Sequence, residues 1–134
     1  MDITARRVSS QNEGKYMQKF TVRREDWYRG KGDRESRLMR PEDHKMCCLG
    51  FYALANGYKP GEIENRCFPS DLTMGENEPL PDTMDWLLDM YPDTEQEYEL
   101  LIGNINDDPD SSEQERERDL TRMFAKHGVQ VEFV

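Results

Sequence analysis

Ten consecutive residues set the terms on which this chain can fold. Met46-Cys47-Cys48-Leu49-Gly50-Phe51-Tyr52-Ala53-Leu54-Ala55 is apolar on nearly every side of a helix. A helix without a polar face belongs inside a domain rather than on its surface. Asp43 precedes the run as a candidate N-cap, and Asn56-Gly57 closes it with a pair suited to a left-handed C-cap. Little apolar material is left to surround this helix. Leu, Ile, Val and Phe together number 24 of 134 residues, and the formal net charge is −10. That combination usually marks disorder. Here the apolar residues cluster in a few periodic segments, which predicts one small folded domain (residues 15–134) with a thin core, behind a flexible polar segment at 1–14.

The remaining segments supply the partners of the central helix. Tyr16 to Val22 alternates Phe20 and Val22 with Lys19 and Thr21, a strand pattern, and Val129 to Val134 alternates in the same way. Neither strand can satisfy its backbone alone, so the two are expected to pair. Asp82 is placed to cap a short helix carrying Met84, Trp86, Leu87, Leu88 and Met90, stopped by Pro92. Thr94 and Glu97 form a capping-box pattern for the next helix, where Tyr98, Leu101, Ile102 and Ile105 fall on one face. Ser111 or Ser112 caps a last helix whose first two turns are charged, and Leu120, Met123 and Phe124 reach inward before Gly128 ends it. The expected fold is α+β: a single, mostly helical domain of about four helices, with a small sheet formed by a strand near 16–22 and a C-terminal strand at 129–134. Leu49, Phe51, Leu54, Trp86, Leu101, Ile102 and Phe124 should share the core.

Charge is distributed unevenly. Residues 1–45 carry a net of +4, whereas 71–119 hold seventeen acids against Arg116 and Arg118 alone. A field of that sign repels nucleic acid and attracts basic surfaces. Helical spacing groups Asp82, Asp85 and Asp89, then Glu95 and Glu99, then Glu113 and Glu117, with Asp107, Asp108 and Asp110 between the last two helices. These ten carboxylates form the expected partner-binding surface. The basic segment, with Arg23, Arg24, Arg29, Lys31, Arg34, Arg37 and Arg40 around Trp27 and Tyr28, admits two readings. It could grip nucleic acid, or it could lie against the acidic half of its own chain, and the overall charge favours the second.

Sites for chemistry are sparse. Cys47, Cys48 and Cys67 cannot close a disulfide framework and are expected to be reduced. His44 with Cys47, Cys48 and Cys67 could hold a metal or activate a thiol, but no Cys-x-x-Cys is present, and a thiol buried in mid-helix is inert. Asn104, Asn106, Asp108, Asp110, Ser112 and Glu115 match the ligand spacing of a calcium loop, with Pro109 where that loop needs Gly. There is no nucleophile elbow, phosphate loop or dinucleotide fingerprint. No catalytic residue and no cofactor is expected. No apolar run approaches the roughly 20 residues that span a bilayer, and no secretory leader pattern opens the sequence.

Trp27-Tyr28-Arg29-Gly30, followed by Lys45-Met46-Cys47-Cys48-Leu49-Gly50-Phe51, resembles a group of small bacteriophage and mobile-element proteins that share a Trp-x-Arg-Gly stretch and then Cys-Cys-Leu-Gly. The resemblance covers about residues 20–60. It implies a phage-type origin and a bacterial cytoplasm, but no particular activity. By analogy with small acidic proteins of such genomes, the expectation is a non-enzymatic inhibitor of anti-CRISPR type. Its partner would be a host protein with a basic nucleic-acid-binding surface, such as a CRISPR-Cas or other defence nuclease complex, with no direct nucleic-acid or membrane contact. The alternatives are a small regulatory or accessory binding protein whose acidity only keeps it soluble, and a Cys/His-dependent enzyme.

Overall fold

The computed structural model describes residues 18–30, 37–73, 79–92 and 96–134. Their order is strand β1 (Gln18–Val22), helix α1 (Cys48–Ala55), short helix α2 (Pro60–Ile63), helix α3 (Tyr98–Asn106), helix α4 (Glu113–Ala125) and strand β2 (Val129–Phe133). This is the α+β architecture anticipated from the pattern. The 1–14 segment and Tyr16 lie outside the described residues.

The two strands pair in parallel, with Gln18 opposite Val129 and Val22 opposite Phe133. Parallel neighbours require a crossover, and here all three longer helices lie within it. Phe20, Val22, Val129 and Val131 turn inward, while Lys19, Thr21, Gln130 and Glu132 face out. Bonds from Arg24 N–H to the Val134 carbonyl and from Val134 N–H to the Val22 carbonyl extend the ladder.

Helix α1 occupies the centre. Cys48 through Ala53 are all buried. Phe20 of β1, Tyr52 of α1 and Phe124 of α4 form a triangle with ring centroids 5.0–5.3 Å apart, tilted or edge-on as aromatic quadrupoles prefer. Gly50 is obligatory here, because a Cβ at that position would lie 1.9 Å from the Leu38 carbonyl oxygen. At the other end of α1, Gly57 takes a φ of 101°, the left-handed stop expected there.

Several local expectations are corrected. Helix α1 is not capped by Asp43. Its N-cap is Cys47, which offers no side-chain bond, and Asp43 instead accepts from Lys45 N–H in the preceding turn. The segment from Asp82 is not an α-helix but a four-residue 3-10 turn, Asp85–Leu88. Met84 and Leu87 are buried there, Trp86 is half-buried and Met90 is exposed. Helix α3 begins at Tyr98 with Glu97 as N-cap, so Glu97 does not serve as the third residue of a capping box; Thr94 lies outside the described residues. Ile102 is buried, and Tyr98, Leu101 and Ile105 pack against the core as the stripe predicts; Glu99 and Asn106 are buried beside them, which the stripe does not show. Of the expected core, Leu49, Phe51, Ile102 and Phe124 are buried, and Leu54, Trp86 and Leu101 pack against its edge. Helix α4 follows its pattern: Ser112 Oγ accepts from Glu115 N–H while Glu115 accepts from Ser112 N–H.

Candidate functional site

The sequence-predicted carboxylates divide by their surroundings. Asp82, Asp85 and Asp89 are exposed and make no side-chain hydrogen bond or ion pair among the described residues. The segment that carries them, with the 3-10 turn Asp85–Leu88 within it, is anchored from below. Met84 and Leu87 enter the core, and Trp86 Nε1 donates to the Tyr52 hydroxyl at 3.0 Å. Trp86 also stacks on His127, 4.1 Å away and nearly parallel. Burial holds the His127 pKa below the usual histidine range, against the opposing field of Asp89. Asp110 is also exposed, with no side-chain bond of its own.

The other acids serve the fold. Glu99 is 2% exposed and so leaves the predicted surface. It accepts from Ser70 N–H at 3.0 Å, and burial raises its pKa. Asp107 accepts from Gly30 N–H at 3.1 Å and from the Asn106 amide at 2.9 Å. Asp108 accepts from Asp110 N–H and the Ser111 hydroxyl, bonds that lower its pKa. Glu117 receives both Nε and Nη2 of Arg24 at 2.8 Å, and Glu113 pairs with Arg29 at 2.7 Å. Glu95 lies outside the described residues. The basic segment, where described, thus folds against its own acidic helix at two points.

The centre of this arrangement is Asn106, which pattern reading placed only as a calcium-loop position. It is fully buried, and both ends of its amide are in use. Its Oδ1 accepts from Trp27 Nε1 at 2.7 Å and from Cys48 N–H at 3.1 Å. Its Nδ2 donates to the Tyr28 carbonyl at 3.0 Å and to Asp107. Asn106 therefore supplies, from another helix, the cap that α1 lacks locally. It ties both halves of the Trp27–Gly30 and Cys47–Gly50 pattern to the end of α3. A signal existed in the sequence: Asn106 stands four residues after Ile102, on the helix face that turns inward. The calcium frame does not survive, since Asn104 and Asn106 lie within α3 and the Asn106 oxygen is taken.

A cavity of about 460 Å³ lies beside this junction, lined by Cys47, Leu49, Cys67, Phe68, Leu100 and Gly103, among others. Its thiols are poor nucleophile candidates. Cys47 is buried with its pKa pushed up to about 12, and burial raises Cys48 as well. Cys67 is exposed, and His44 is turned to Glu64 at 3.5 Å. Among the described residues no three His, Cys, Asp or Glu side chains are grouped to hold a metal ion. No helix there is long and apolar enough to cross a membrane. Comparison with protein-family models, with curated proteins and with solved structures finds no match.

Proposed function

We infer that the protein is a non-enzymatic inhibitor of bacteriophage or mobile-element type, which blocks a host nucleic-acid-binding defence complex by seating a carboxylate-rich face in its phosphate-binding groove. The observation that carries this reading is the 82–90 segment. Asp82, Asp85 and Asp89 stand free on an anchored turn beside Met90, which is 52% exposed. Repeated negative charge on a firm scaffold offers a cationic groove what a nucleic-acid backbone offers it. An exposed methionine within that charge supplies an apolar contact of the kind enriched in interfaces. Glu113 and Glu117, paired internally, favour a second reading, an accessory protein whose acidity serves folding and solubility.

One experiment separates the two. Wild-type protein and the Asp82→Lys, Asp85→Lys, Asp89→Lys triple variant are immobilised and exposed to bacterial lysate. Expected is retention of nucleic-acid-binding proteins that salt and added duplex DNA release, and their loss from the triple variant at unchanged melting temperature. Equal retention by both proteins refutes the acidic-face mechanism.

A further inference from the structure

Three cations meet where the first turn of α4 faces the Trp27–Gly30 segment. Arg29, Lys45 and Arg116 share the walls of an open cleft of about 540 Å³ with Glu113 and Trp27. Among the described lining residues Glu113 is the one carboxylate, and Arg29 already neutralises it. Three cations thus stand against one carboxylate among the described lining residues, in a chain whose net charge is −10.

Arg116 is the residue that packing alone leaves unexplained. It is 7% exposed, yet it makes no ion pair among the described residues. One Nη2 N–H donates to the Asp108 carbonyl, and the buried Nε finds no acceptor among the described residues. The Asp108 carboxylate attracts it through space without forming an ion pair with it, and accepts instead from Asp110 N–H and the Ser111 hydroxyl. Buried guanidinium groups are ordinarily paired, because an uncompensated charge is costly to remove from water. Lys45 adds an exposed ammonium, also without an ion pair among the described residues. Arg29 is held over Trp27 at 4.5 Å, with Nη1 donating to the Trp27 carbonyl. The N-terminus of the 13-residue α4 adds positive potential.

We propose that this cleft binds the phosphate of a small phosphorylated molecule of mononucleotide size. Arg29 keeps its nitrogens on Glu113 and the Trp27 carbonyl, so the phosphate falls to the Arg116 guanidinium and to Lys45, a mobile point charge. The volume lies within the roughly 300–1,000 Å³ of small-ligand pockets. Arg29 covers Trp27, and Arg40 lies over Tyr28 at 4.0 Å, so recognition falls to the charged groups rather than to ring stacking. The cleft sits at the opposite end of α4 from Trp86 and His127, and so from the acidic turn.

The test is calorimetric titration of the full chain with pyrophosphate and with AMP, using succinate as a dicarboxylate control. Saturable 1:1 binding of both phosphates is expected, with succinate at least tenfold weaker. Lys45→Glu should weaken phosphate binding at least tenfold. Lys59→Glu, an exposed lysine that does not line the cleft, should leave it unchanged. Arg116→Met should melt no lower than wild type without ligand and should gain nothing from pyrophosphate. Absence of saturable binding, equal binding of succinate, equal weakening by the two lysine variants, or an Arg116→Met protein still stabilised by pyrophosphate would each overturn the assignment. Should Arg116→Met fail to fold, the two lysine variants decide the matter.

Discussion

Removing the Asn106 amide would strand two buried donors at once, Trp27 Nε1 and the Cys48 N–H, and would take one donor from the half-buried Tyr28 carbonyl. Each buried polar group left without a partner costs about 1–3 kcal/mol. Asn106→Ala should therefore destabilise the protein by about 2 kcal/mol or more, a large fraction of a small domain's stability. Denaturant unfolding with an unchanged slope would measure this directly, and a loss below about 1 kcal/mol would mean that water replaces the amide. Asn106→Asp makes a sharper probe. It keeps both acceptors, loses both donors and sets a second carboxylate against Asp107. Its deficit should shrink as the pH falls and the new acid becomes protonated.

At the scale of elements, α3 shows where pattern reading works and where it stops. Its existence followed from apolar periodicity, and its start was misplaced by only a few residues. Its apolar stripe faces the core as periodicity predicts, but the burial of Glu99 and Asn106 is not legible, because the groups that donate to them, Ser70 N–H, Trp27 Nε1 and Cys48 N–H, are distant in sequence. The 3-10 turn at Asp85–Leu88 was legible as a short apolar segment but not as its helix type, which tertiary anchoring decides. The acidic surface shrank for the same reason: ion pairing of Glu113 and Glu117 depends on arginines more than 80 residues away.

The buried Glu99 has a measurable consequence for α3. Burial raises its folded-state pKa above the ordinary glutamate value, so the folded state holds a proton that the unfolded chain has already released. Stability is then lost as the pH rises from the ordinary value through the folded one, and it stays lost at neutral pH. Glu99→Gln keeps an oxygen for Ser70 N–H and removes the charge. Its melting temperature should exceed that of wild type at pH 7, with the difference narrowing towards pH 4. A variant less stable than wild type at pH 7 would show that the ionised carboxylate is itself stabilising.

For the whole molecule, the parallel pairing of β1 with β2 ties together segments more than 100 residues apart. Such contacts form against a large loop-closure entropy, so they hold only when the intervening helices are already in place. Truncation after Gly128 would remove Val129 and Val131 from the core and leave β1 unpaired. The shortened chain should show no cooperative thermal transition by circular dichroism, even though every helix remains encoded. A sharp transition within a few degrees of wild type would show that the helices form a self-sufficient core.

The Asn106 junction also bears on how such a sequence can drift over generations. Trp27, Tyr28 and Cys48 converge on one amide, so the paired tetrapeptides that stand out to the eye are the clasp of the fold rather than a signature of what it binds. A lineage can exchange the free aspartates one at a time, each step being nearly neutral for folding. It cannot surrender Asn106 without first rewriting three distant positions. Change at the exposed aspartates leaves that clasp untouched, whereas change at Asn106 reaches the segment before the central helix and the first turn of that helix together.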